Sequence, residues 1–188
     1  MSSLPPGPFD VIYADPPWRY EHSVSDSRAI ENQYDTLTTE EICGIPVSSV
    51  AANDSVLFLW ATAPKLVEAL DVVNAWGFVY RTHMVWDKEI IGMGYWVRGR
   101  HELLLIAIRG TPRSPSVDAR PDSIISVSRR NLNHSEKPQE FRDIIDKMTP
   151  WATRRIELFA RGGRVSANGE WVGWGDEFVA QSSMSEVW

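Results

Sequence analysis

Apolar residues along this chain fall into short unbroken runs, set apart by stretches of helical spacing and by polar loops. Phe9–Ala14 (FDVIYA) is rich in β-formers and reads as a buried strand. Asp15-Pro16-Pro17 ends it, because two successive prolines cannot continue a sheet ladder. Residues 19–36 are polar and aperiodic, a long loop of the kind that often carries function. Thr38-Thr39-Glu40-Glu41 has a hydroxyl cap and first-turn acids, which predict a helix start. Residues 55–60 (SVLFLW) read as a second buried strand. Positions 66, 67, 70, 73 and 76 are apolar at helical spacing, so 64–76 is a helix stopped by Gly77. Residues 78–86 and 102–108 (ELLLIAI) are strands, and 109–123 is a loop with three prolines. A short strand is expected at 124–127, a helix over 138–148 with Phe141, Ile144, Ile145 and Met148 on one face, and a strand at 156–160. Strands alternating with helices imply an α/β fold with a mostly parallel sheet and helices on both faces.

The 188 residues fit one domain, 1–188, with residues 1–8 (MSSLPPGP) as a loose lead-in lacking the pattern of a secretory signal. No apolar run reaches the ~18 residues of a membrane span. The one cysteine, Cys43, excludes an internal disulfide and a multi-cysteine metal site, and the four histidines lack metal-ligand spacing. A cytoplasmic protein is the expectation. The net charge of −6 argues against coating nucleic acid by bulk charge. It is uneven, however: residues 81–130 hold nine Lys/Arg against five Asp/Glu. This segment offers a local basic surface to phosphates, although no single one of Arg98, Arg100, Arg109, Arg113, Arg129 and Arg130 stands out.

In open α/β sheets, ligands sit beyond the carboxyl ends of the strands. Two such ends carry unusual chemistry here, Asp15-Pro16-Pro17-Trp18 and Arg161-Gly162-Gly163. The first suits methylation of an exocyclic amine whose lone pair is delocalised into a ring. Asp15 and a backbone carbonyl beside the prolines would bind both amine hydrogens and draw the nitrogen towards tetrahedral geometry. Trp18 would stack on the flat base. Asp15 need not be a strong base, because the proton becomes acidic only once the nitrogen is alkylated. Trp60 and Trp96 read as core or pocket wall.

At these residues the chain resembles the adenine amino-methyltransferases named for the seventy-kilodalton subunit of the mRNA adenosine methyltransferase, in particular their small bacterial and phage members. The resemblance runs from Phe9 to about Phe178. It is carried by Asp15–Trp18, Tyr34-Asp35-Thr36-Leu37, residues 55–62, Trp76-Gly77-Phe78, Trp86-Asp87-Lys88 and Gly94-Tyr95-Trp96. It continues through His101-Glu102-Leu103-Leu104, His134-Ser135-Glu136-Lys137-Pro138, residues 154–161 (RRIELFAR) and 171–177 (WVGWGDE).

The resemblance implies a Rossmann-like, S-adenosylmethionine-dependent methyltransferase with permuted motif order, the catalytic strand first and the cofactor strand last. Its substrate would be adenine in nucleic acid, DNA favoured over RNA, with the target base flipped out of a duplex. Asp15, Pro16, Pro17 and Trp18 would form the catalytic element. Asp15 and Lys137 would hold the methionine part of the cofactor, Arg161, Asp176 and Glu177 its ribose, and Phe159 its adenine end. Trp18, Tyr34, Trp60, Glu102 and His134 would shape the target-base pocket. A homodimer or a paired subunit is the implied assembly. Gly163 stands where eukaryotic members have a histidine, and Asp176-Glu177 replaces two amides. The acidic element that precedes the catalytic strand in longer members is absent.

Overall fold

The computed structural model describes residues 3–20, 36–92, 96–131, 136–160 and 171–175. Tyr34, His134, Arg161, Asp176 and Glu177 lie outside the described residues.

The strands are β1 (Phe9–Ala14), β2 (Ala51–Ala61), β3 (Val79–Asp87), β4 (His101–Arg109), β5 (Ile124–Ser126), β6 (Arg155–Leu158) and β7 (Trp171–Trp174). The helices are α1 (Thr39–Cys43), α2 (Leu66–Ala75) and α3 (Gln139–Met148). Among the described residues the strands form one sheet in the order β5-β3-β4-β2-β1-β6-β7. The pairs β1–β2, β1–β6, β6–β7 and β3–β5 are parallel, as expected of a mostly parallel sheet. Strand β4 runs against both β2 and β3. The reason is local: the chain turns back between β3 and β4, with Lys88 N–H on the Arg100 carbonyl and Gly92 N–H on that of Gly99. A helical crossover would have made the pair parallel. The reversal brings the start of β4 to the edge where β1, β2, β3 and β6 end.

Successive side chains of a strand face opposite sides, and the core divides accordingly. Ile12, Ala14, Leu57, Leu59 and Leu105 face Ile42 of α1 and Ala69, Val72 and Val73 of α2. Val11, Tyr13, Phe58, Trp60, Leu104 and Ile106 face Phe141, Ile145 and Met148 of α3. Helices thus cover both faces, as the alternation predicts. Thr38 caps α1: its hydroxyl accepts from Glu41 N–H at 3.1 Å, and the Glu41 carboxylate accepts from Thr38 N–H at 2.8 Å. Trp76, fully buried, ties α2 to α1 by donating its indole N–H to the Ile42 carbonyl at 3.0 Å. Gly77 follows at φ 80°, the left-handed helix stop read from the sequence. On the other face Arg155 meets Asp146 at 3.1 Å and Arg142 pairs with Glu157, so α3 is locked to β6 by charge as well as by packing.

One expectation is corrected: Trp96 is neither core nor pocket wall but 99% exposed. Within the lead-in, Leu4 packs on the first core cluster, and Arg154 donates to the Pro6 carbonyl at 2.7 Å. The WVGW segment adds a strand, β7, that its glycine hides from a reading by composition.

Phe141 joins α3 to the sheet, with its ring 4.8 Å from that of Trp60 and 6.4 Å from that of Trp86. Phe141→Ala should therefore lower stability by about 3–5 kcal/mol, the range for a buried aromatic cut to Ala. Urea denaturation measures it, and a loss below ~1 kcal/mol would mean that α3 is held chiefly by its ion pairs.

Candidate active site

The catalytic motif leaves β1 in a tight turn. Trp18 N–H donates to the Pro16 carbonyl at 2.9 Å, a three-residue turn with Pro17 at its centre, where a fixed φ near −65° is already suitable. Leu37 N–H donates to the Pro17 carbonyl at 2.8 Å and Arg19 N–H to the Leu37 carbonyl at 3.0 Å, so the chain returns alongside the motif. Both proline carbonyls thus hold a backbone donor, and each keeps a second lone pair.

Beyond this turn four charges alternate. Lys137, just before α3, donates to Asp15 Oδ2 at 2.8 Å and stands 3.4 Å from Glu102 Oε2; Lys88 binds Glu102 Oε1 at 3.2 Å. The side chains of Lys137 and Glu102 are 10% and 17% exposed, so these contacts are shielded from water and strong. Burial alone would lower the Lys137 pKa, but Asp15 and Glu102 outweigh it and hold the ammonium above its ordinary range. Burial likewise pushes Glu102 up, and Lys137 and Lys88 together bring it below the usual carboxylate value. The four groups sum to zero charge.

The floor of this network is aromatic. The Lys137 ammonium lies 5.4 Å from the centre of the Trp60 ring. Trp60 donates its indole N–H to Tyr13 Oη at 2.7 Å, and Trp18 donates its own to the Trp60 carbonyl at 3.2 Å. Burial raises the Tyr13 pKa strongly, so its phenol stays neutral. Trp18 and Trp60 are 6% and 1% exposed. The two indoles are thus held in place, Trp18 by the Trp60 carbonyl and Trp60 by Tyr13, with Lys137 over the Trp60 ring. Tyr20, half-buried, bonds Thr62 Oγ1 at 2.7 Å and is close enough to Glu102, Lys137 and Asp15 for their charges to act on it.

The second strand end carries backbone strain. Phe159, just past β6, has φ 62°, which is costly for a residue with a Cβ, and its ring meets Trp174 edge-on at 5.8 Å. A Cβ on Gly175 would lie 2.9 Å from Ala160 N and O, so only glycine lets the chain leaving β7 pass the end of β6. Ala160 and Gly175, which directly precede Arg161 and Asp176 in sequence, are therefore in backbone contact.

Of the sequence-selected residues, Asp15, Lys137 and Glu102 come together directly, Trp18 and Trp60 lie beneath them, and Phe159 follows Leu158, the partner of Ala14 in the β1–β6 pairing. Lys88, Tyr13 and Tyr20 were missed. The signal for Lys88 was its place at the end of β3, and for Tyr13 its position two residues before Asp15, on the same face of β1.

The donor set fits the methionine head of S-adenosylmethionine. An ammonium beside a carboxylate is complementary to an amino-acid zwitterion, and an ammonium has three hydrogens, of which Asp15 and Glu102 take two. A seven-stranded sheet with helices on both faces and this pair at its carboxyl edge is an S-adenosylmethionine-dependent methyltransferase fold. Residues 9–177 match the MT-A70 family model, and the chain belongs to the MT-A70 family. It is similar to the type II methyltransferase M.MunI of Mycoplasma sp, 33% identical over 93% of this chain and 79% of that protein. It is also similar to the human N(6)-adenosine-methyltransferase catalytic subunit METTL3, 30% identical over 91% of this chain, and to the Drosophila melanogaster MT-A70-like protein at 28%. The chain spans 28% of the length of human METTL3.

The low Glu102 pKa carries a pH dependence. Stability from Glu102 is present above the unfolded value of 4.5 and is lost as pH falls through the lower folded value. Glu102→Gln should thus melt below wild type at pH 7, and the two curves should converge as pH falls through that lower folded value. A gap in melting temperature that stays constant with pH would show that the network does not hold Glu102 ionised.

Proposed function

We propose that this protein transfers a methyl group from S-adenosylmethionine to the exocyclic N6 amine of adenine in DNA. The observation that carries the reading is the Lys137–Asp15 pair, 2.8 Å apart and set directly beyond the double-proline turn. When bound, S-adenosylmethionine supplies an electrophilic methyl group on a sulfonium.

The chain's own residues supply the rest. Lys137 directs its remaining hydrogen at the cofactor carboxylate, and Glu102 and Trp60 keep it in place. Asp15 has acceptor capacity beyond the one hydrogen taken from Lys137. It accepts from the adenine amine, with the Pro16 or Pro17 carbonyl as the second acceptor. The nitrogen lone pair is thereby localised and aimed, a gain from orientation rather than from strong base catalysis. After transfer the nitrogen is cationic, and Asp15 or water takes its proton. Arg161, Asp176, Glu177 and Phe159 would complete the cofactor site, and Tyr34 and His134 the base pocket.

DNA is favoured over RNA because the chain spans most of a type II methyltransferase and little of METTL3. The METTL3 likeness keeps RNA as the second polymer to test. A homodimer or paired subunit belongs to the same proposal.

Incubation with methyl-labelled S-adenosylmethionine and either DNA or RNA, followed by nucleoside mass spectrometry, should place label on the adenine N6 of DNA. Label in neither polymer, with the cofactor still bound, would defeat the catalytic reading and favour a partner subunit. Asp15→Asn should lower transfer at least about 100-fold, a few kcal/mol of transition-state stabilisation. Transfer at the wild-type rate would remove Asp15 from the chemistry. Lys137→Ala should weaken binding of S-adenosylhomocysteine by about 1–3 kcal/mol in calorimetry, whereas equal affinity would take Lys137 out of the cofactor site.

A further inference from the structure

Helix α3 runs down one face of the sheet from Lys137, at the active site, to Met148. It packs on Val11, Tyr13, Phe58 and Trp60 and reaches Trp86, Leu104 and Ile106. Beside its end, where Met148 lies, residues that include Pro112, Arg113 and Arg120 border a cleft of about 610 Å³. Its apolar lining includes Ile106 and Ile108, with Phe58, Met84 and Met148 buried behind them. Arg81, Arg113 and Arg120 also line it, and no Asp or Glu is among the lining residues. None of the three arginines has an acidic partner among the described residues, and Arg120 donates only to the Pro115 carbonyl, at 3.3 Å. By contrast Arg100 is committed to Asp87. Three cations thus line an apolar hollow, with Asp118 and Asp122 in the bordering segment.

The cleft lies on the same face as the active site. Glu102 and Ile106 are on one side of β4, four residues apart, which is about 13 Å at 3.3 Å per residue. A nucleic-acid strand rising 3.4 Å per nucleotide needs at least about four nucleotides to span it, passing outside the core packed at Leu104.

We infer that this cleft is a second binding site that takes a nucleotide, its phosphate held by Arg81, Arg113 and Arg120 and its base laid on the apolar floor. Stacking on apolar and aromatic groups tolerates any base, and arginine forks suit phosphate. A strand whose target adenine occupies the active site is the favoured source of the nucleotide, and this much rests on the proposed function; a free nucleotide has the same chemistry.

The test uses the whole chain with methyl-labelled methionine, and the double variant Arg81→Ala/Arg113→Ala, whose changes are on exposed side chains outside the catalytic machinery. Adenosine monophosphate and a 20-nucleotide single strand serve as probes. The inference expects the methyl signals of Met84 and Met148 to shift with the strand. It also expects the double variant to bind the strand at least about fivefold more weakly, with a salt slope shallower by about one to two, and to bind S-adenosylhomocysteine as wild type does. Shifts with adenosine monophosphate that the double variant abolishes, alongside unchanged strand affinity, would make the free nucleotide the ligand. If neither probe moves the two signals, the inference is overturned, whatever happens to strand affinity. A wild type that transfers no methyl group yet shows the nucleotide shifts would defeat the catalytic proposal and leave the cleft standing.

Discussion

The active site depends on one buried cation. Lys137 stands on the Trp60 ring between Asp15 and Glu102, with little access to water. An ammonium taken out of water is stable only if its partners are close and fixed. Much of the surrounding structure fixes them. The double-proline turn sets Asp15, the reversed β4 sets Glu102, Lys88 neutralises the far side of Glu102, and the indole–phenol bond between Trp60 and Tyr13 holds the floor. Removing any one leaves a charge or a ring without its counterpart, so the site is assembled as a unit before any ligand arrives.

This pre-assembly has a chemical use. Orientation of the amine and the cofactor accounts for much of a transfer of this kind, and it is effective only where the orienting groups do not themselves move. Strain at Phe159 and the forced glycine at 175 show the same rigidity at the end of β6 and β7, where two backbones touch. The cleft beneath residues 110–123 is the contrasting region. There three arginines line the cleft, without an acidic partner among the described residues.

Most elements were legible in the sequence because their signals were local. Phe9–Ala14, the cap at Thr38, the stop at Gly77 and the apolar face of α3 each depend on residues a few positions apart. The reversal of β4 was not legible, since apolar runs do not record strand direction. Strand β7 was hidden by the glycine in its WVGW run, since β5 and β6 are no longer and were legible from their apolar residues. The motif residues and Lys137 were found by their company in sequence, but their partners were not: Lys88 and Tyr13 matter through contacts across 14 and 47 positions, with Glu102 and Trp60 respectively. Burial was the property hardest to foresee for tryptophan. Trp18, Trp60 and Trp96 look alike in the sequence, and only the path of the chain puts two of them inside and one in water.

The turned-back connection between β3 and β4 separates two kinds of inheritance. Its base is bound in place: Asp87 grips Arg100 through two bonds of 2.6 and 2.7 Å, and Lys88 and Glu102 belong to the active site. Trp96, farther along, stands almost wholly in water. Descendants of this chain are therefore free to rewrite that residue, and to change what it meets, while the chemistry a few residues away passes on unaltered.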